Sequence, residues 1–370
     1  MKTLGIVFSN IHDKEVSELT ASRTLASVPY AGRYRLIDFV LSNMVNSGIY
    51  NVGVITKYNY QSLMEHVGSG KSWDLSRKNG GLVFLPPYGR ESSTVYSSRF
   101  EAISNIAYYL REATETYVLM SDCDNVCNID FSEAINYHVE KHADITVIYH
   151  KKDLGACDEK VRTSVEVDSG GRVQKVVTKP KQSGVINAFT NILIINRKFL
   201  LSIIDNAEEL GYKSFSRDVL IKGATEYNIY GYEYKGYFAS IDTMANYYKH
   251  SMELLDKNIR DEIFRDGGAI YTKVRDSAPC RIEESGKVKN SVVADGCVIE
   301  GEVENSILFR GVHVSKGARV KGSILFNNVT VASGSTVNCV IADKFSHVLE
   351  NRTLSGHETR PYFLPRNTIV

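Results

Sequence analysis

The chain has 370 residues, which exceeds the usual size of one domain and predicts two domains. Its 44 basic and 43 acidic residues nearly cancel, which argues against a nucleic acid or a membrane surface bound through bulk charge. No run approaches the roughly 20 apolar residues of a membrane span, and the six cysteines lack paired zinc-ligand spacing. These features predict a cytoplasmic protein with reduced thiols.

The first 255 residues alternate β-rich runs with helical patterns. Strands are predicted for the runs that begin at Thr3, Asn51, Leu82, Thr116 and Asp144. Between the third and fourth runs, residues 100–110 carry one apolar stripe at helical spacing. This alternation predicts a Rossmann-like α/β domain with a mostly parallel sheet and helices on both faces. Ligands of such sheets bind beyond the carboxyl ends of the strands, which directs attention to the residues after Phe8 and after Met120.

The turn after the first strand is unusual for a phosphate-binding position. Such turns are built from glycine, because backbone N–H groups must approach the anion closely. Here the turn contains no glycine and carries Asn10, Ile11, Asp13 and Glu15. The position predicts a nucleotide site, whereas the residues argue against bound phosphates.

A different pattern begins after Arg275. Segments that start at Ser291, Ser306, Ser323 and Cys339 repeat one another at about 16-residue spacing, with aliphatic residues near every sixth position. This repeat predicts a parallel β-helix, with an antiparallel β-sandwich as the alternative. The predicted domains are residues 1–255, a linker over 256–286, and a β-helix with a tail over 287–370. The open ends and flat sides of a β-helix favour oligomerisation.

Two histidines of the repeats, His313 and His347, raise an acyltransferase as an alternative. Hexapeptide acyltransferases use a coil histidine as general base. We interpret both residues as surface histidines, because the large N-terminal domain would be surplus to such an enzyme.

Two sequence blocks resemble a known family. The run "VPYAGRYRLIDFVLSN" over residues 28–43, the run over Ser72–Tyr88, and the C-terminal repeats resemble the ADP-glucose pyrophosphorylases (glucose-1-phosphate adenylyltransferases). The resemblance implies a nucleotidyltransferase domain followed by a left-handed β-helix. It also implies a reaction in which glucose 1-phosphate attacks the α-phosphorus of ATP with Mg²⁺ present, giving ADP-glucose and pyrophosphate.

The resemblance fails at the triphosphate site. A gapless alignment puts the family's glycines on Asn10, Ile11 and Asp13, its arginine on Glu15, and its lysine on Leu25. At ~4 Å and an effective dielectric constant of about 20, replacing a basic by an acidic residue changes a phosphate contact from about −4 to about +4 kcal/mol before screening. We therefore expect that ATP does not bind productively in the family's mode.

The remaining site residues are partly retained. The resemblance puts the first metal aspartate on Asp124, whereas the second falls on Ser240, with Asp242 two residues later. The resemblance also puts the sugar-phosphate lysine on Lys179. Lys179 and Arg33 are the predicted binding residues for a sugar phosphate or a similar anion, and Asp124 and Asp242 form a vestigial or weak metal site.

Two functions from different classes follow. The first is a non-catalytic, regulatory subunit that assembles with a catalytic glucose-1-phosphate adenylyltransferase chain in a heterotetramer, with Mg²⁺ bound by the partner. The family contains such a type in Gram-positive bacteria. The alternative is an active sugar-phosphate nucleotidyltransferase with a rebuilt Mg²⁺-dependent site.

Overall fold

The computed structural model describes residues 2–87, 95–154, 161–180 and 184–370. Tyr88, which ends the second sequence block, and residues 181–183, which follow Lys179 and Pro180, lie outside the described residues.

The N-terminal part is an α/β domain. Its strands are β1 (Thr3–Phe8), β2 (Pro29–Tyr30), β3 (Tyr34–Arg35), β4 (Asn51–Ile55), β5 (Gly81–Leu85), β6 (Tyr117–Asp122), β7 (Asn125–Val126), β8 (Ile145–Asp153), β9 (Thr163–Val167), β10 (Val173–Thr178), β11 (Val185–Asn196), β12 (Ile229–Glu233) and β13 (Ala239–Ser240). Its α-helices are α1 (Ser17–Thr20), α2 (Leu36–Asn46), α3 (Gln61–Val67), α4 (Arg99–Asn105), α5 (Ala107–Glu112), α6 (Phe131–Glu140), α7 (Arg197–Asp205), α8 (Ala207–Leu210), α9 (Met244–Glu253) and α10 (Lys257–Asp261). Short 3₁₀ or π-helical segments cover Asp13–Val16, Leu25–Ser27, Lys71–Trp73, Phe215–Ile221 and Glu262–Asp266.

The large sheet has a parallel centre. Strands β6, β1, β4 and β5 lie side by side and run parallel, whereas β11 runs antiparallel beside β6. Apolar residues of β1 alternate between two cores, with Ile6 and Phe8 in one cluster and Val7 in the other. Helices therefore cover both faces, which confirms the predicted α/β class. The helix predicted over residues 100–110 is two helices, α4 and α5, which meet at the buried Ile106.

The C-terminal part is a stack of short parallel strands. They are β14 (Arg281–Ile282), β15 (Lys287–Lys289), β16 (Val292–Val293), β17 (Val298–Ile299), β18 (Glu302–Glu304), β19 (Ile307–Leu308), β20 (His313–Val314), β21 (Arg319–Lys321), β22 (Ile324–Leu325), β23 (Thr330–Val331), β24 (Thr336–Asn338), β25 (Val340–Ala342), β26 (His347–Val348), β27 (Thr353–Ser355) and β28 (Tyr362–Leu364). They form three five-stranded sheets in which every third strand pairs. This is the arrangement of a left-handed β-helix, as predicted, and the parallel pairing contradicts the antiparallel sandwich.

The repeated serines have a structural role in this stack. Each serine hydroxyl accepts a hydrogen bond from a backbone N–H of the next coil. The N–H of Ser306 donates to Ser291, that of Ser323 to Ser306, and that of Val340 to Ser323, each at 3.1 Å. A small hydroxyl at each corner thus replaces a missing backbone partner. His313 lies on the coil surface with Nε2 3.1 Å from the Glu300 carboxylate, in line with its interpretation as a surface residue.

The predicted linker 256–286 is wrong at both ends. Its first residues form α10 and a π-helical turn, and Ile263 of that turn packs into the core that the two domains share. Its last residues include β14, which pairs with β17 as the first strand of the β-helix. The linker prediction failed because it relied on where the repeats become regular, and the first coil does not start with a serine.

The two domains share a hydrophobic core. Tyr30 and Phe39 of the first sequence block, together with Tyr247 of α9, pack in one cluster with Phe309 and Phe326 of the β-helix. Beside this core, Arg23 donates two hydrogen bonds to the Asp343 carboxylate at 2.8 and 2.7 Å, and both side chains are buried. None of the described helices has the length and apolar character to cross a membrane.

The Arg23–Asp343 pair predicts a large effect on stability. Arg23→Ala leaves Asp343 buried without its cation, so we expect the free energy of unfolding to fall by ~3–5 kcal/mol in urea titrations. Arg281→Ala is the matched control, because Arg281 pairs with Glu283 at the surface, where such pairs contribute ~0–1 kcal/mol. Equal losses in the two variants would contradict this prediction.

Candidate functional site

The candidate site lies at the carboxyl ends of β1 and β6. These strands are neighbours, and Phe8 is paired with Asp122. Residues 9–16, here called the first turn, therefore face the loop that carries Asp124. The structure brings together the two segments that the sequence singled out.

The first turn is closed by its own side chains. With its amide oxygen facing the backbone of the next loop, Asn10 accepts the N–H groups of Lys57 at 3.3 Å and Tyr58 at 3.1 Å. Ile11 packs against the core on one face of the sheet. The Asp13 carboxylate accepts the backbone N–H of Leu25 at 2.9 Å, and burial raises the pKa of Asp13 to about 7. The Asp13 side chain thus takes up a backbone N–H donor in the region where the resemblance puts the phosphates.

Asp122 and Asp124 are buried and already paired with cations. Arg99 donates to Asp122 Oδ2 at 2.5 Å, and Arg162 donates to Asp124 Oδ2 at 2.7 Å. His12 Nε2 lies 3.0 Å from Asp122 Oδ2 and 3.9 Å from Asp124 Oδ2. Arg162 also donates to Glu15, whose other oxygen lies 3.6 Å from His12 Nδ1. We call these six residues the acid cluster: Glu15, Asp122, Asp124, His12, Arg99 and Arg162.

The electrostatics of the acid cluster favour the charged forms of His12, Glu15 and Asp122. Burial lowers the pKa of His12, but the carboxylates of Asp124 and Asp122 outweigh it and raise the value to about 9. The hydrogen bond from His12, together with Arg162, lowers the pKa of Glu15 to about 2. Burial raises the pKa of Asp122, but Arg99 and His12 hold it below its ordinary value. Three acids therefore face three cations.

The acid cluster does not fit a resident Mg²⁺ ion. His12, Asp122 and Asp124 offer atoms within 4.8 Å of one another, which is compatible with a metal site on distance alone. However, His12 is protonated and cannot donate a lone pair, and each aspartate has an arginine on one oxygen. A dication added to three balanced charge pairs would leave its own charge uncompensated. The residues here are arranged to do without the metal.

The other predicted metal positions lie at the mouth of a neighbouring cavity. Ser240 pairs with Asn125 through β13 and β7, and Asp242 accepts a hydrogen bond from Asn246 at 2.5 Å. Burial raises the pKa of Asp242, although Arg162 acts in the opposite direction. Both Ser240 and Asp242 line a cavity of about 240 Å³. Asp242 therefore faces Arg162 and not an open metal site.

The lining of this cavity contains several basic residues. Its basic lining residues are His150, Lys152, Arg162, Lys249 and His250. Phe189, which occupies a family serine position, also lines it. Lys179 does not line it: its side chain is exposed and its backbone N–H donates to the Arg162 carbonyl at 2.8 Å. The role of Lys179 in binding stays a prediction.

Arg33 lies in a second, larger cavity. This interdomain cavity of about 640 Å³ lies between the first sequence block and the β-helix. Its lining is strongly basic, since it contains Arg33, Arg35, Arg275, Arg310, Lys344 and Arg366 against Glu65 and Asp295. Burial lowers the pKa of Lys344 to about 7, and Arg35 and Arg23 act in the same direction. Such a lining is suited to an anion.

Three residues of the acid cluster were missed in the sequence. His12 stands inside the first turn and could have been noticed as a cation among acids. Arg99 begins α4 and Arg162 precedes β9, and neither belongs to a motif. Only the fold brings these arginines to the strand ends.

Known proteins resemble both halves of the chain. The nucleotidyl transferase family model matches residues 14–257, and a model described as GlmU-like, C-terminal hexapeptide matches residues 278–360. The glycogen biosynthesis protein GlgD of Bacillus subtilis is 38% identical over 367 residues, which is 99% of this chain and 96% of that protein. GlgD of Geobacillus stearothermophilus is 37% identical, over 86% of this chain and 83% of that protein. The glucose-1-phosphate adenylyltransferase of Thermosipho africanus is 34% identical, over 86% and 77%. These matches confirm the resemblance found in the sequence blocks.

The acid cluster predicts a specific pH dependence. The folded pKa of His12 lies at about 9, above its ordinary value of 6.5, so its contribution to stability is complete below pH 6.5 and is lost as the pH rises to about 9. Between these values, the free energy of unfolding of the wild type should fall by up to ~3 kcal/mol more than that of His12→Asn. Urea titrations at both pH values measure this difference. Parallel pH profiles of the two proteins would contradict the role of His12.

Proposed function

Because the chain belongs to the nucleotidyl transferase family, within the group that contains the GlgD proteins and the glucose-1-phosphate adenylyltransferases, we propose that it is a catalytically deficient, regulatory subunit of glucose-1-phosphate adenylyltransferase. Its role lies in bacterial glycogen biosynthesis. The partner is a catalytic chain of the same family, in a heterotetramer, and the complex makes ADP-glucose and pyrophosphate from ATP and glucose 1-phosphate. The cytoplasmic location stays a prediction.

The contacts of the first turn and of the buried aspartates support the proposed catalytic deficiency. Ile11 of the first turn packs against the core and the Asp13 carboxylate ties the turn to Leu25, while the buried aspartates are neutralised by the chain's own cations. Nucleotidyl transfer requires the protein to position two polyanions and neutralise their charge. Here the carboxyl groups of Asp13 and Glu15 lie in the region assigned to the phosphates, and the cations are already engaged with acids. A chain with this site folds like its active relatives but lacks their means of binding the triphosphate.

The alternative, an active nucleotidyltransferase with a rebuilt site, has one observation in its favour. The cavity beside Ser240 and Asp242 is lined by the basic side chains Lys152 and Lys249, together with the acids Asp242 and Glu253. It leaves the triphosphate without a binding turn, so it supports binding of one phosphate ester more readily than transfer. We therefore keep it as the second candidate.

The ends of the β-helix form a surface suited to assembly with a catalytic chain. The β-helix exposes apolar side chains at both ends, with Ile282 on its first strand and Ile369 near its last. Open β-helix ends require capping or a partner. The catalytic subunit is proposed as that partner, and it also supplies the Mg²⁺ site.

A regulatory subunit acts on its partner either through a ligand that it binds or through direct contact. We assign the predicted sugar-phosphate ligand to the interdomain cavity around Arg33, because its excess of cations is not balanced by its two acids. The cavity is lined by both domains, so an anion bound there contacts the N-terminal domain and the β-helix at once. Such a ligand biases their arrangement only if it binds one arrangement better than another.

A mixing assay tests the proposed function. The isolated chain should form no measurable ADP-glucose, whereas adding it to a catalytic glucose-1-phosphate adenylyltransferase chain should change the apparent affinity of that chain for substrate or effector by about 5- to 150-fold. Heat-denatured protein at equal concentration is the control. Turnover by the pure chain at about 1 per second or more would instead establish the alternative.

Variants at Arg33 and Lys179 test the ligand. Arg33→Ala should reduce the response of the complex to an anionic effector without preventing co-purification, because it removes one cation of the interdomain cavity. Lys179→Ala tests the exposed lysine in the same titrations, and Arg319→Ala, at the β-helix surface, is the matched control. If Arg33→Ala and Arg319→Ala behave alike across effector titrations, the interdomain cavity does not bind the effector.

A further inference from the structure

Arg162 lies between acids from three separate elements. Its Nη1 donates to Asp124 Oδ2 at 2.7 Å, and its Nη2 donates to Glu15 in the first turn. Asp242, which follows β13, also acts on Arg162 electrostatically. The guanidinium thus joins the loop after β6 to the first turn and faces the loop after β13.

These acids surround the place where the resemblance puts a metal. Asp124 is the family's first metal position, and Asp242 stands two residues from the second, Ser240. The resemblance implies that the family holds Mg²⁺ there. In this chain Arg162 links a protein carboxylate, Asp124, to another carboxylate, Glu15, in the region assigned to the phosphates. A guanidinium is suited to this role, since its fixed fork of donors can bind two carboxylates and never loses its charge.

We propose that Arg162 is a built-in substitute for the divalent cation, which holds the first turn against Asp124 without metal or nucleotide. The inference rests on the proposed function, because an arginine in this place suits a chain that does not transfer nucleotides. It goes further in that it assigns the place of the metal to one residue of the acid cluster. The first turn of this subunit then keeps one arrangement whether or not Mg²⁺ and ATP are present.

Two carboxylate oxygens beside Arg162 could bind a metal once the arginine is removed. Asp122 Oδ1 and Asp124 Oδ1 are buried and have no hydrogen-bond partner among the described residues. Removing the Arg162 side chain would leave Asp124, Glu15 and Asp242 without their shared cation. Carboxylate oxygens with excess negative charge are the ligands that Mn²⁺ and Mg²⁺ prefer. Arg162→Ala should therefore create a divalent-cation site that the wild type lacks.

Mn²⁺ binding to the full-length chain tests this directly, by titration calorimetry and by loss of the free-ion electron paramagnetic resonance signal. The wild type and the control Arg319→Ala should show no site tighter than about 1 mM, whereas Arg162→Ala should bind Mn²⁺ at least about tenfold more tightly, a gain of ~1.4 kcal/mol. Adding Asp124→Asn to Arg162→Ala should remove the new site. A folded Arg162→Ala chain, judged by circular dichroism, that binds Mn²⁺ no better than Arg319→Ala would overturn the proposal.

If Arg162→Ala does not fold, a second measurement still tests the proposal. The wild type and Asp124→Asn are compared in the same Mn²⁺ titration, and the proposal requires both to lack a site tighter than about 1 mM. A wild-type site that Asp124→Asn abolishes would mean that Arg162 does not exclude the metal. Both measurements use the isolated chain and need no turnover. A failed mixing assay therefore rejects the regulatory function, and an altered Mn²⁺ result rejects only the role of Arg162.

Discussion

Two buried carboxylates at the ends of adjacent strands are the constraint on which the site depends. Asp122 and Asp124 are removed from water, and a buried charge without a partner costs several kcal/mol. These charges require a balance from nearby cations. In this chain Arg99, Arg162 and His12 supply it at all times. The same pairs that stabilise the folded chain therefore occupy one oxygen of each aspartate.

In the first turn, side chains of the protein also stand in the place of a ligand, but there the ligand is an anion. A glycine turn offers its N–H groups to phosphate, whereas here Asp13 accepts the Leu25 N–H and Glu15 binds Arg162. Carboxylates of the chain take the place of the anion, and an arginine takes the place of the cation. The turn keeps its position at the end of β1 because the strand pairing that places it does not involve these side chains.

The sequence block that carries the resemblance is mainly a packing block. Tyr30, Leu36 and Phe39 lie in the core that joins the N-terminal domain to the β-helix, and Asp38 binds the buried His66 at 2.6 Å. Arg33 and Arg35 of the same block line the interdomain cavity. This explains how a chain can retain the scaffold of the family and a basic interdomain surface while it loses the triphosphate turn. The two groups of residues make contacts in different parts of the domain.

The sequence by itself determined the fold class with both domains and located the glycine-free turn at Asn10 to Glu15, because strand alternation, coil repeats and glycine positions are local patterns. It misplaced the linker, since the first coil of the β-helix lacks the serine that marks the next three segments. It identified Asp124 and Asp242 but not what faces them. Only the tertiary structure decided that Arg99 and Arg162, about 60 residues apart in the chain, meet the aspartates at the end of the sheet. Ion pairs between distant segments leave no periodic trace in a sequence, because they depend on which strand ends become neighbours when the chain folds.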